Sequence, residues 1–155
     1  MQNGQYWGLI ATLMFGLAAC SSAPEKEAGF EVGEGGQPIE QILPDSRTSK
    51  TVLALLDTAR AAAKAGQLHT AESQLERAVR IEPRNAVLWH YMAKLRLHQE
   101  RMSEAAGLAA KSNSLAGKNQ QLQADNWRII AHARHQQGDL AGAEKAQKKV
   151  QQLTQ

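Results

Sequence analysis

The chain is poor in cysteine, proline and aromatic residues. Its 155 residues include one cysteine, four prolines and only 5% aromatic residues. A single cysteine leaves no partner for a disulfide within the chain. Scarce aromatic side chains and abundant alanine favour closely packed helices over a β-sandwich, which would be richer in Val, Ile, Tyr and Thr. The composition therefore predicts an all-α protein.

Long hydrophobic runs are also lacking, but a short one lies near the N-terminus, between Tyr6 and Leu17. A membrane-spanning helix needs about 20 apolar residues, so a run of about a dozen indicates a signal peptide, here residues 1–19. Two alanines and Cys20 follow the run, and together they resemble a bacterial lipobox. The alternative is that Cys20 is a buried cysteine of an N-terminal helix.

The lipobox resemblance implies cleavage before Cys20 and attachment of lipid to its sulfur. Acyl chains hold a protein on a membrane without crossing it. Ser21, where some lipoproteins have aspartate, resembles the residue of enterobacterial lipoproteins that are sorted to the outer membrane. We therefore expect a lipid-anchored protein on the periplasmic face of the outer membrane.

Residues 20–48 are predicted to form an acidic, flexible tether. They contain four glycines and three prolines and show no sustained apolar periodicity. Residues 20–50 hold three basic residues against six acidic ones, which are Glu25, Glu27, Glu31, Glu34, Glu40 and Asp45. The remainder, residues 51–155, holds 15 basic and 9 acidic residues. The tether is long enough to reach about 100 Å when fully extended, so the folded part would stay near its membrane.

From about Ser49 the apolar residues recur with a helical period. Ser49 is a predicted N-cap, and Gly66 is predicted to end the first helix. A second helix should end before Pro83. On this helix, small residues recur at positions that would touch the first helix, while Glu72 is expected to face solvent.

The spacing from Gly66 through Ala71, Leu75 and Ala78 to Pro83 resembles a tetratricopeptide repeat, a pair of antiparallel helices about 34 residues long. A shift of 34 residues brings Trp89, Ala93 and Ala105 to the corresponding positions, with Glu100 at the turn glycine. A further shift of 38 brings Trp127, Ala131, Gly138 and Ala143 there, so about four residues are inserted within residues 117–123. The resemblance implies about three helix pairs over residues 49–155. An unrelated helical bundle with alanine-rich contacts is the alternative.

Catalytic and cofactor motifs are missing from the sequence. It has no G-x-S-x-G, Walker or H-E-x-x-H motif, so we expect neither an enzyme nor a cofactor. His132 and His135 lie three residues apart, but zinc needs three or four converging ligands and no acidic or cysteine ligand lies near them. We therefore predict no metal site. Nucleic acid is not expected as a partner, because aromatic stacking platforms are lacking.

Tetratricopeptide proteins bind partners in a groove lined by the first helix of each repeat. By resemblance, the exposed positions of those helices carry a protein-binding groove formed by Arg60, Lys64, His90, Lys94, His98, Arg128, His132 and His135. Such a groove would prefer acidic partners and gain charge as pH falls from about 8 to 6, since histidine has an unperturbed pKa near 6.5. Leu56 and Arg60 differ from the Lys and Asn of the carboxylate clamp in chaperone-binding relatives. The alternative is an ordinary solvated face.

The combination of lipobox, tether and short repeat domain is similar to the pseudomonad-type outer-membrane lipoproteins that activate a bifunctional class A penicillin-binding protein. That resemblance implies binding to the periplasmic domain of the synthase and stimulation of peptidoglycan synthesis. A pilotin or assembly factor for a secretin or pilus is the main alternative. A peptidoglycan-processing enzyme is disfavoured, because the sequence shows no acid, base or nucleophile constellation.

Overall fold

The computed structural model describes Ile42 and residues 44–155. The predicted signal peptide, the predicted lipidation site Cys20 and the predicted tether up to residue 41 lie outside these residues. The described part contains six α-helices, confirming the predicted all-α class. They are α1 (Lys50–Lys64), α2 (Leu68–Ile81), α3 (Ala86–His98), α4 (Met102–Leu115), α5 (Gln120–Gln136) and α6 (Leu140–Leu153). None of these helices is both long and apolar enough to cross a bilayer.

The helices pack as three consecutive pairs, α1 with α2, α3 with α4 and α5 with α6. Neighbouring pairs touch through α2 and α3, through α4 and α5, and through the first helices α3 and α5. Short turns between packed helices make each pair an antiparallel hairpin, as the repeat spacing predicts. The first pair packs on the second and the second on the third, as in a linear repeat array.

The turn inside each pair uses one geometry three times. Gly66, Glu100 and Gly138 have φ of 72°, 57° and 79°, all in the left-handed region. In each turn the next N–H donates to a carbonyl five residues earlier, at 2.9 Å, and so closes the end of the first helix. This hydrogen bond is the mark of a Schellman C-cap, where glycine is favoured because it has no Cβ. Glu100 adopts the same conformation without that advantage.

The four inserted residues form an extra first turn of α5. The connections 82–85 and 116–119 have equal length, whereas α5 has 17 residues and α3 has 13. Asn119 caps α5, its side chain accepting from the N–H of Leu122 at 3.0 Å. Leu122, in the added turn, is buried and joins the core around the first two pairs. The insertion therefore lengthens a helix instead of a loop.

Small residues line the contact between α1 and α2. Ala71 and Ala78 are fully buried, as the spacing predicts. The expectation that Glu72 faces solvent is wrong, because its carboxylate lies 2.5 Å from Nη2 of the buried Arg96. The amide of Gln99 donates to the other carboxylate oxygen at 3.1 Å. Hydrogen bonding to Arg96 holds the pKa of Glu72 below its usual value. The pair links the second helix of one repeat to the first helix of the next.

The folded part begins before residue 49, because the end of the predicted tether packs on the array. Ile42 is buried among the core residues of the first two pairs. The amide of Asn85 donates to the hydroxyl of Thr48 at 3.0 Å. Ser49 caps α1 as predicted, and its own N–H donates to the carboxylate of Glu82 at 2.8 Å. These contacts hold the chain against the turn between α2 and α3 as it enters α1.

Candidate binding groove

The predicted groove residues lie along the first helices of the three pairs. Spacings of three or four residues place Arg60 and Lys64 on one face of α1, and Arg128 with two histidines on one face of α5. Lys94 lies on α3, between these two helices in the array. We use "groove" for the surface around Arg60, Tyr91, Lys94, Asp125 and Arg128.

Tyr91 lies at the centre of the groove, although the repeat pattern does not select it. The guanidinium carbon of Arg60 is 5.6 Å from the centroid of the tyrosine ring, and Nζ of Lys94 is 5.9 Å from it. Both distances fall within the range of cation–π attraction. Burial raises the pKa of the Tyr91 hydroxyl, which donates a hydrogen bond to the carbonyl of Ile42 at 3.2 Å. One aromatic ring thus holds two cations from neighbouring repeats.

Two carboxylates partly balance the cations. Nη1 of Arg60 lies 3.4 Å from Asp57, and Arg128 pairs with Asp125 one turn earlier on α5. Burial raises the pKa of Asp125, and the charges of Arg128 and Lys94 oppose that rise. The three cations of the groove outnumber these two carboxylates, so the groove keeps a net positive charge.

His90 does not belong to the groove, and the prediction that it is an exposed, titrating member is wrong. Its side chain is only 3% exposed, and Nδ1 lies 2.9 Å from Oδ1 of Asn126. Burial lowers the pKa of His90 to about 4, which the hydrogen bond to Asn126 only partly offsets. His90 is therefore neutral between pH 8 and 6 and adds no charge to the surface.

Instead, His90 belongs to a buried polar network that joins α3, α4 and α5. The amide nitrogen of Asn126 donates to Oγ of Ser112 at 2.8 Å and to Oδ1 of Asn113 at 3.0 Å. With both amide hydrogens used, Oδ1 of Asn126 accepts from Nδ1–H of His90, which fixes the histidine tautomer. Ser112 in turn donates to the carbonyl of Ala86 at 2.8 Å. His90 and Asn126 directly adjoin Tyr91 and Asp125 in the sequence, so the network holds the backbone beside these two groove residues.

The remaining predicted residues are less closely grouped. Lys64, His132 and His135 are exposed, whereas His98 is half-buried in the last turn of α3. The structure unites Arg60 and Lys94 at Tyr91 and places Arg128 beside Asp125, while the two exposed histidines lie one and two turns further along α5. Across residues 44–155 and Ile42, no three His, Cys, Asp or Glu side chains are grouped so that they could hold a metal ion.

Some of the missed residues did leave a signal in the sequence. Asn126 stands at the register of Leu88, and Ser112 at that of Ala78, so a polar side chain replaces an apolar one at two buried positions. A polar group in an apolar register indicates a hydrogen-bonded core site, because unpaired burial is costly. Tyr91 left no such signal, since it lies one residue away from the row that the repeat pattern selects.

The fold agrees with comparisons to known proteins. The tetratricopeptide-repeat family profile matches residues 52–95. Among solved structures, the globular C-terminal domain of LpoP from P. aeruginosa is 40% identical, with a TM-score of 0.64. The match covers 66% of this chain and 97% of that domain. The N-terminal domain of stress-induced protein-1 (STI-1) from C. elegans has a TM-score of 0.59 at 18% identity, covering 72% of this chain and 100% of that one. No curated protein matches the sequence significantly.

Three stacked helix hairpins with a groove along their first helices define a tetratricopeptide-repeat domain, an architecture for binding proteins. The likeness to the STI-1 domain shows this fold alone. The identity to the P. aeruginosa domain over nearly its whole length shows more, namely that the chain belongs to the LpoP family.

Proposed function

We propose that this protein is an outer-membrane lipoprotein, anchored through Cys20, whose repeat domain binds and activates a class A penicillin-binding protein in the periplasm. The domain supplies a binding surface, and the synthase performs the chemistry of peptidoglycan polymerisation and crosslinking. Membership in the LpoP family supports this proposal, as does the resemblance of lipobox, tether and repeat domain to pseudomonad-type lipoprotein activators.

The groove is the observation that carries the binding part of the proposal. Arg60, Lys94 and Arg128 come from three consecutive repeats, and the first two both lie within 6 Å of the centroid of the Tyr91 ring. A partner segment lying across the three first helices would meet a cation on each. Complementary charge of this kind speeds association and selects the partner more than it adds affinity. We therefore expect an acidic, extended segment of the periplasmic partner to bind here.

The test is recovery of the partner from detergent-solubilised envelopes by the mature, lipidated protein. We expect a bifunctional glycosyltransferase-transpeptidase in the bound fraction, and faster polymerisation when the two purified proteins are mixed. A secretin or pilus component in its place would support the pilotin alternative and contradict the activator proposal. The anchor has a separate test, since Cys20→Ala should abolish incorporation of labelled palmitate.

Neutralising the groove should weaken both binding and stimulation. Exposed ion pairs contribute about 0.2–1 kcal/mol each, so the triple change to Gln at Arg60, Lys94 and Arg128 should raise Kd about tenfold. The matched control removes the same number of charges by replacing three exposed lysines of α6 with Gln, namely Lys145, Lys148 and Lys149. Salt should weaken the wild type more than the triple variant, because exposed charges are screened over about 8 Å at physiological ionic strength. Equal affinity for all three proteins would place binding on another face of the array.

A further inference from the structure

The chain enters its folded domain at the groove. Ile42 is 8% exposed and belongs to the core of the first two repeats. Its carbonyl accepts the hydrogen bond from Tyr91, the residue whose ring lies against Arg60 and Lys94. Whatever precedes Ile42 therefore starts beside the positive charge of the groove.

The residues that precede Ile42 carry the opposite charge. Residues 20–41 contain Lys26 and five acidic residues, which are Glu25, Glu27, Glu31, Glu34 and Glu40. Glu40 lies two residues before Ile42, and covalent geometry limits the distance between their Cα atoms to about 7 Å. The sixteen residues 25–40 can extend to about 50 Å, several times the distance of about 8–10 Å between two packed helices, so this segment is long enough to cross the three first helices. Reach and charge thus both match the groove.

We propose that residues 25–40 dock on the groove of their own domain and act as an internal competitor of an acidic partner. The competition rests on the proposed function, whereas the docking itself needs no partner. A segment joined to its binding surface by a short stretch of chain has an effective concentration in the millimolar range, so even a weak contact is populated. A partner then binds with an apparent Kd equal to its intrinsic Kd divided by the fraction of molecules whose groove is open.

The docking is tested on the mature chain, residues 20–155, carrying Cys20→Ser so that it stays in solution. In the test variant all five glutamates are changed to Gln, and in the control the exposed Glu76 and Glu144 are changed. We expect the amide resonances of Tyr91, Lys94 and Arg128 to move in the test variant. Added salt should move the wild-type resonances in the same direction. The control should leave these three resonances unchanged.

Binding of heptaglutamate to the same proteins measures the competition. We expect the neutralised variant to bind the peptide at least about twofold more tightly than the wild type. If the internal contact closes the groove in half of the wild-type molecules, removing it halves the apparent Kd. Identical groove resonances in the wild type and the neutralised variant would overturn self-docking, even if both proteins bind heptaglutamate. Resonances that shift with dilution would show docking between copies and overturn the intramolecular contact. Moving resonances with no heptaglutamate binding would keep self-docking and contradict the acidic preference proposed for the partner.

Discussion

Two contacts join the three repeats, and they use chemically different side chains at equivalent positions. The first contact joins the first and second repeats, and the second contact joins the second and third. In the first, Leu88 and Ala78 lie in an apolar core. In the second, the same registers hold Asn126 and Ser112, which join His90 in a buried hydrogen-bonded network. All five side chains are almost completely buried. The same repeat frame therefore accommodates two kinds of core.

The two contacts differ in what they contribute. The apolar contact mainly stabilises the fold, whereas the polar contact mainly fixes the relative position of the helices. Apolar burial is nondirectional and tolerates small displacements, so the first contact depends mainly on volume and fit. A hydrogen-bonded network has defined directions and must be satisfied throughout, because an unpaired buried group costs free energy. We expect the network to fix how α5, with its extra turn, sits against α3 and α4. This position also sets where Asp125 and Arg128 stand relative to Lys94.

The largest effect should come from Asn126→Leu, which gives the second contact the residue that the first one has. The change leaves His90, Ser112 and Asn113 without their partner, and we expect the free energy of unfolding to fall by about 3 kcal/mol. Urea unfolding followed by circular dichroism measures it. The exposed Gln147→Leu is the control, with an expected loss within about 0.5 kcal/mol.

The triple variant His90→Leu, Ser112→Ala and Asn126→Leu sharpens the same comparison. It copies the residues at the same registers one repeat earlier, Leu56, Ala78 and Leu88, and removes most of the orphaned groups together. Replacing a whole buried polar set costs less than removing one member of it. We expect the triple variant to be more stable than Asn126→Leu alone. A triple variant that is less stable would show that the hydrogen bonds of the network contribute more free energy than burial of its polar groups costs.

The apolar contact should respond to volume. Ala71→Leu inserts a side chain where α1 and α2 touch, and overpacking costs about 1–3 kcal/mol. The exposed Ser73→Leu on the same helix should change the free energy of unfolding by less than about 0.5 kcal/mol. Glu72 is unsuitable as this control, since it pairs with Arg96. Similar losses at positions 71 and 73 would contradict the helix contact seen in the structure.

The polar contact should also make stability depend on pH. The pKa of His90 is lowered from 6.5 to about 4 in the folded protein, so between these values the unfolded chain binds a proton that the folded one does not. Stability should therefore fall as pH drops from 6.5 towards 4, by about 1.4 kcal/mol per unit from this group. His90→Leu should lose that part of the slope. The carboxylates titrate in both proteins, so the difference between the two curves of unfolding free energy against pH gives the contribution of His90.

The smallest effect concerns the turns. Glu100 has a φ of 57°, a conformation that costs an L-residue about 1–2 kcal/mol but costs glycine little. The entropy of glycine in the unfolded chain offsets part of this, so Glu100→Gly should stabilise by about 0.5–1 kcal/mol. The reverse change, Gly138→Glu, should destabilise by a similar amount. A Cβ at Gly138 would meet no neighbouring atom of the described residues within 4 Å, so only backbone strain distinguishes the two turns.

Local features of the fold were predictable from the sequence alone. Ser49 and Gly66 mark the ends of α1, because caps and left-handed turns depend on a few neighbouring residues. Ala71 and Ala78 were predicted at a helix contact for a similar reason, since close packing of two helices requires small side chains at that spacing. The inserted residues were placed correctly, but whether they form a loop or a helical turn depends on what the turn can bury, here Leu122.

What the sequence by itself determined is therefore the class, the number of helix pairs, the ends of the first pair and the helices on which the proposed groove lies. Only the tertiary structure decided which of the residues on those helices are at the surface. Leu56, His90 and Arg128 share one register, yet the first two are buried and the third is half-exposed. A helical period defines a face, but the neighbours packed against that face decide its exposure, and these neighbours differ from repeat to repeat. For the same reason, Tyr91 and the entering Ile42 meet only after the chain has folded.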